Sequence, residues 1–203
     1  MSHISDAVRS GELVVLVDDD GNAIGVAPKQ STHHVDTPLH LAFSCYVFDN
    51  AGSLLLSRRA LHKPTFPGVW TNSFCGHPAP GEDLRSALHR RARQELGIRL
   101  VDLQPTLPTF RYEATMTNGV RENEICPVFT ATTADEVRPD ADEVAATEWV
   151  LWESFRDEVL TGCRDVSTWC IRQVDELARC EVDVARFRAA GWEELPPAGR
   201  QSI

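Results

Sequence analysis

The chain is predicted to fold as a mixed α/β or α+β unit, and three observations carry that expectation. Strand-like runs bounded by turn residues fill the first half and recur as far as Leu151. One helix-period stretch, Asp83–Leu96, interrupts them. Three further helical stretches, Glu153–Leu160, Ser167–Arg179 and Val182–Ala190, follow the last strand. The 203 residues are 42% hydrophobic and 25% charged, which fits one globular domain with chain enough for a sizeable core. Residues 1–10 and 195–203 read as flexible ends, the latter containing Pro and Gly.

Each element has a local warrant. Leu13–Val17 is an apolar, β-branched run stopped by Asp18-Asp19-Asp20-Gly21-Asn22, and Ile24–Ala27 is its return strand. Pro28–Pro38 is a polar loop that holds Lys29, His33 and His34. Leu39–Phe48 and Ser53–Ser57 form a hairpin through Asp49-Asn50-Ala51-Gly52. Arg58–Gly68 is a basic loop, and Trp70–Phe74 a short strand. In Asp83–Leu96, Leu84, Ala87, Leu88, Ala92 and Leu96 mark one helix face, and Gly97 suits the stop. Strands follow at Ile98–Leu103 and Thr109–Ala114, then Asn118-Gly119 turns into a strand over Glu122–Thr132. Pro127 within it points to an edge or a bulge. Asp135–Glu143 is an acidic loop and Glu148–Leu151 the last strand, with Ser167 placed as a helix N-cap. Trp70, Trp149 and Trp152 read as core or wall residues.

A formal net charge of −10 repels nucleic acid, so that class of partner is excluded and any basic cluster is a local feature. No apolar run approaches the ~20 residues a membrane span needs. The six cysteines show no Cys-x-x-Cys pair, and no secretory signal leads the chain. Reduced thiols in a cytoplasm are the expectation.

The stretch Trp70-Thr71-Asn72-Ser73-Phe74-Cys75-Gly76-His77-Pro78 concentrates reactive groups. Cys75 and His77 are two apart, so an extended strand turns both to one face. The helix behind it keeps the spacing of a Nudix box through Gly76, Glu82, Arg90, Glu95, Gly97 and Ile98. Two positions depart from the box chemistry, because Arg91 and Gln94 stand where the family has glutamates that gather hydrolytic metal ions. With Leu39-His40-Leu41-Ala42-Phe43-Ser44 and Glu122-Asn123-Glu124-Ile125-Cys126-Pro127-Val128-Phe129, the chain over about Lys29 to Trp169 resembles the type I isopentenyl-diphosphate isomerases. That resemblance implies an α/β/α sandwich around a mixed β-sheet. It also implies a flavin-free, metal-dependent interconversion of isopentenyl and dimethylallyl diphosphate in isoprene biosynthesis, by a protein expected to be a monomer.

Three constellations follow. His33, His40, His77, Glu122 and Glu124 combine imidazoles with two carboxylates at i, i+2, a donor set that suits a divalent metal. Matches to the family support these five as ligands. The donors suit Zn²⁺ or Mn²⁺ as well as Mg²⁺, and the resemblance implies Mg²⁺ or Mn²⁺. His33 taken alone, beside His34, reads more simply as an ordinary polar residue. Lys29, Arg59, Lys63 and Arg91 match the family's diphosphate-binding positions, and Arg offers a planar fork to phosphate oxygens. Glu95 is implied as the holder of a Mg²⁺ ion that bridges the diphosphate. Cys75 and Glu124 resemble the family's acid–base pair, with Tyr112 bonded to Glu124 and Trp169 offering its face to a carbocation. Which of the pair protonates stays open. Singly, these Lys, Arg and Trp residues are more often solvated charges or core. A hydrolase of nucleoside diphosphate derivatives and a silent diphosphate- or metal-binding module are the rival readings.

Overall fold

A computed structural model describes residues 13–200. The predicted leader, residues 1–10, lies outside the described residues. The chain runs β1 (Leu13–Val17), β2 (Ala23–Pro28), α1 (Lys29–Thr32), β3 (His40–Leu41), β4 (Phe43–Phe48), β5 (Ser53–Arg59), β6 (Trp70–Thr71), β7 (Phe74–Gly76) and α2 (Leu84–Leu96). It continues through β8 (Val101–Leu107), β9 (Arg111–Thr115), β10 (Arg121–Ile125), β11 (Val128–Thr132), β12 (Val144–Leu151), α3 (Trp152–Leu160), α4 (Thr168–Cys180), β13 (Glu181–Asp183) and β14 (Arg186–Phe187).

Two mixed sheets form the centre. One has the order β2-β1-β3-β10-β9, and the other β12-β5-β4-β11-β8, with β6 on β5 and β7 on β4. Two stretches expected as continuous strands pass from one sheet to the other. Leu39–Phe48 breaks at Ala42, and Glu122–Thr132 breaks at Cys126 and Pro127. The halves stay parallel on both sides of the break, β3 with β10 and β4 with β11. Proline has no N–H to give a ladder, but its carbonyl accepts from the Ser44 amide at 3.0 Å, so Pro127 marks the crossing instead of an edge.

Alternation along β4 and β5 builds the layers. Phe43, Cys45, Val47 and Leu55 face a core shared with Leu84, Ala87, Leu88, Ala92 and Leu96 of α2. Tyr46, Phe48, Leu54 and Leu56 face the other way, toward Trp152 and Phe155 of α3 and Trp169, Val174 and Leu177 of α4. Strands buried on both faces between helices give the expected α/β/α arrangement.

Three local expectations are corrected. Lys29–Thr32, read as loop, is one helical turn. Val182–Ala190, read as a helix, is instead the β13–β14 hairpin. The β-branched Val182 and Val184 suit a strand, and Ala185 takes a left-handed turn at φ 55°. Glu181 anchors the hairpin by accepting from Trp152 Nε1 and Arg156 Nη1, both at 2.8 Å. Trp149 is 39% exposed, neither core nor cavity wall. At the end expected to fray, Leu195 is buried in the α2-side core, and the Ala198 amide donates to Gly21 O at 3.0 Å.

Candidate active site

The sheet crossing creates the site. Across three neighbouring strands, His40 of β3, Glu124 of β10 and Tyr112 of β9 are in register. On the second sheet β7 pairs with β4 and brings Cys75 opposite Ser44. A cavity of about 370 Å³ opens between these elements. Its walls include Cys75, Tyr112, Glu122, Glu124 and Trp169, and also Lys29, Arg59, Lys63 and Arg91.

His33, His40, His77 and Glu124 offer ligand atoms that all lie within 4.8 Å of one another. Second contacts aim the rings. His40 Nδ1 faces Pro38 O at 2.9 Å and His33 Nδ1 faces Lys29 O at 3.3 Å. A carbonyl can only accept, so both Nδ1 atoms carry a proton and each Nε2 faces the group of four. His40 Nε2 is buried without a hydrogen-bond partner, 3.4 Å from Glu124 Oε1. His77 Nε2 lies 3.1 Å from the same oxygen. An orphaned imidazole nitrogen beside a carboxylate and two more imidazoles fits a divalent metal. Burial pushes His77 down to about 3 and also lowers His33, which favours the neutral rings a metal needs, whereas at His40 the Glu124 carboxylate outweighs burial and raises the ring. Burial works to raise Glu124, but its contacts with His40 and His77 hold it well below the usual carboxylate range.

Glu122, the fifth predicted ligand, stands beside this group of four and outside it. Tyr112 Oη is 2.8 Å from both Glu122 Oε2 and Glu124 Oε2. A phenol has one hydrogen, so it can donate to only one of them. Burial, then the charge of Glu124, push Glu122 up. Glu122 is therefore the more readily protonated of the two carboxyls.

Cys75 is half-buried at the cavity wall, with its sulfur among hydrogen bonds. Its Sγ lies 3.3 Å from Ser44 Oγ and 3.2 Å from Asn72 Oδ1. Burial pushes the thiol up to about 12, against the smaller opposing pulls of Ser44, Asn72 and Arg59. Trp169 stacks obliquely on Tyr112 at 5.7 Å and meets Phe66 edge-on at 5.1 Å. Phe66 itself holds a left-handed backbone at φ 45°, a strained conformation for a bulky residue.

The basic residues are not equally open. Arg59 is fastened to its own loop by Nη2 bonds to Thr65 O at 2.8 Å and Thr65 Oγ1 at 3.0 Å. Arg91 Nε donates to Glu95 Oε1 at 2.8 Å, and both side chains are buried. Glu95, expected at a Mg²⁺ ion, is thus held as the partner of Arg91. Glu143, at the end of the acidic loop, pairs with Lys63 and lies 3.4 Å from Arg91 Nη2. Nothing in the local sequence marks it, because its position depends on the Ala60 amide donating to Glu143 O at 3.0 Å, between distant segments. Glu82, the other retained box carboxylate, is gripped by Arg90 through bonds of 2.8 and 2.6 Å and does not line the cavity.

The fold recurs in solved structures at low identity. A chain of the DR0079 protein from Deinococcus radiodurans superposes with a TM-score of 0.63 at 18% identity, covering 81% of this chain and 98% of that one. The MutT protein of Methanosarcina mazei Go1 follows with a TM-score of 0.57 at 21% identity, over 71% of this chain and 96% of its own. A family model for the NUDIX domain matches residues 38–170, which sets the class of protein. The isopentenyl-diphosphate Delta-isomerase of Saccharopolyspora erythraea is 55% identical over 187 residues, 92% of this chain and 96% of the relative. The isopentenyl-diphosphate Delta-isomerase of Clavibacter michiganensis subsp. michiganensis is 62% identical over 163 residues, 80% of this chain and 84% of the relative. The chain belongs to the NUDIX family and, within it, to the isopentenyl-diphosphate Delta-isomerases.

Proposed function

We propose that this protein interconverts isopentenyl and dimethylallyl diphosphate, with Cys75 and Glu124 as the proton-transferring pair. The observation that carries the reading is a shared cavity. Cys75, Tyr112, Glu124 and Trp169 line the same pocket as four cationic side chains. The reaction adds one proton to the terminal alkene carbon and removes one from the carbon on the other side of the double bond. A tertiary carbocation forms between the two steps. Lys29, Arg59, Lys63 and Arg91 hold the diphosphate, so it acts as a handle and is not itself cut. Cys75 and Glu124 come from different sheets, which lets one donate while the other accepts. Tyr112 bonds Glu124 and fixes its oxygen. Trp169 presents a π face to the cation, an effect worth about 2 kcal/mol when desolvated. The enclosing walls keep water from trapping the cation.

We assign a divalent ion, Mg²⁺ or Mn²⁺, to His33, His40, His77 and Glu124, with Glu122 completing the set; the donors also suit Zn²⁺. When bound, it supplies positive charge that fixes and polarises the Glu124 carboxylate. Glu95 would hold a second Mg²⁺ ion only when substrate draws Arg91 away from it, and that ion would supply positive charge beside the diphosphate. The six thiols, none in a disulfide, fit a reducing cytoplasm, and we infer a monomeric single catalytic domain there. Among the described residues no helix is long and apolar enough to cross a membrane.

Incubating the protein with isopentenyl diphosphate and Mg²⁺, with and without chelator, tests the reading by NMR of the products. The allylic isomer should form and should be lost on chelation. Phosphate release without an allylic product would overturn it.

A further inference from the structure

Behind the reactive thiol lies a polar chain that does not touch the cavity. Tyr46, Ser44, Asn72 and Gln173 are all fully buried, beside a cluster of apolar side chains. None of them lines the pocket. A buried polar group is costly unless it is bonded, so the direction of each bond can be worked out.

Asn72 fixes the direction. Its Nδ2 donates to Cys45 O at 3.0 Å and Phe74 O at 2.8 Å, which leaves Oδ1 only as an acceptor. That oxygen receives Thr71 Oγ1 at 2.8 Å, Cys75 Sγ at 3.2 Å and Trp169 Nε1 at 3.3 Å. The Cys75 hydrogen therefore points at Asn72. Since the thiol has no second hydrogen, its contact with Ser44 Oγ must be donated by Ser44. Ser44 then accepts from Gln173 Nε2 at 2.9 Å. That sets the amide so that Gln173 Oε1 accepts from Tyr46 Oη at 3.0 Å. Cys126 Sγ, 3.4 Å from Ser44 Oγ, can donate to the second lone pair of that oxygen. Every bond runs one way, from Tyr46 through Gln173 and Ser44 to Cys75 and on to Asn72.

We infer that Tyr46, Gln173 and Ser44 form a one-way donor chain that makes them positioning residues for Cys75, while Asn72 registers the thiol against Trp169. The inference rests on the proposed role of Cys75. In whichever direction the reaction runs, the sulfur alternates between thiol and thiolate. When its S–H bond breaks, the proton goes to carbon and the electron pair stays on sulfur. To reach carbon the S–H turns from Asn72 Oδ1 toward the cavity, while the Ser44 hydrogen already faces the sulfur, so this donor does not have to reorganise as negative charge develops there. Chained donors also polarise one another, which strengthens the last bond.

The test uses Tyr46→Phe, Ser44→Ala and Gln173→Glu in the protein as purified. Tyr46→Phe keeps the ring and removes only the hydroxyl furthest from the thiol, so it guards against loss of the fold. Gln173→Glu replaces the amide donor with an acceptor, which turns the Ser44 hydrogen away from Cys75. Two readouts are taken, steady-state kinetics with isopentenyl diphosphate and the S–H stretching band that disappears in Cys75→Ala. Each variant is expected to lower kcat about two- to tenfold, the worth of one hydrogen bond, with KM unchanged. Each should also move the Cys75 band to higher frequency. A fall in kcat without a band shift, a band shift at unchanged kcat, or full activity in Gln173→Glu would overturn the chain. Full isomerisation by Cys75→Ala would instead remove the role assigned to Cys75, while the band measurement still reports on the bonds.

Discussion

A thiol pushed up to about 12 by burial stays protonated at neutral pH, so Cys75 has a hydrogen to give. Glu124, held ionised by His40 and His77, has a lone pair to take one. Removing either end should therefore stop turnover. Cys75→Ala and Glu124→Gln are expected to lose at least ~100-fold in kcat with circular dichroism unchanged. Retention of a tenth of wild-type turnover by either would contradict the pairing. Glu143 leads to a different expectation. It occupies Lys63 and approaches Arg91, the cations assigned to the diphosphate. Glu143→Gln should release Lys63, loosen the hold on Arg91 and so lower KM for isopentenyl diphosphate a few-fold, a modest effect because the pair is partly solvated. A raised KM would show that the carboxylate aids binding. Of these three residues, Cys75 and Glu124 are readable from motifs. Glu143 is not, because its neighbours come from chain segments far from it in sequence.

At the scale of elements, α2 links the core to the site. Leu84, Leu88 and Leu96 bury one face, while Arg91 and Glu95 reach the cavity wall. Asp83 caps its first turn by accepting from Ser86 N at 3.0 Å. Gly97 ends it at φ 69°, where an added Cβ would come within 3.0 Å of Arg138 O. Gly97→Ala should cost about 1–2 kcal/mol from the left-handed backbone alone, read as a lower urea midpoint. The same turn holds the loop that carries Glu143, through Asp140 N donating to Glu95 O at 2.9 Å. A stability loss near zero would mean that the turn relaxes. This helix is legible in sequence, because apolar spacing and stop are local, although Asp83, read as its first residue, is its cap. The broken strands are not. Leu39–Phe48 and Glu122–Thr132 each read as one strand, since a crossing between sheets leaves the β-pattern intact on both sides. The β13–β14 hairpin is hidden for a similar reason: Glu181 is pinned by Trp152 and Arg156, which no local pattern reveals.

For the molecule as a whole, the His/Glu group joins α1's end, β3, β7 and β10, and so ties the two sheets together. A metal bound there should stabilise the folded state, by about 2.7 kcal/mol at a hundredfold excess over Kd. Purified protein should hold close to one tightly bound divalent ion, and His40→Ala or His77→Ala should lose both the ion and that increment. Unchanged metal content in both variants would refute the site. Hydrolysis in this family depends on box carboxylates that collect metal ions around the bond to be cut. Here Arg91 and Gln94 replace two of them. The remaining two are engaged, Glu82 by Arg90 and Glu95 by Arg91. The wall that would assemble a hydrolytic metal cluster is therefore a cationic one, which suits the holding of an intact diphosphate. Restoring charge with Arg91→Glu and Gln94→Glu should abolish isomerisation by repelling the diphosphate, and it should not create hydrolysis, because no residue has been added to position a water nucleophile. The unaltered protein should leave nucleoside diphosphate derivatives uncut under conditions where isopentenyl diphosphate is converted to its allylic isomer. Efficient cleavage of the former with no isomer from the latter would overturn both the assignment of the cationic wall and the isomerase chemistry built on it.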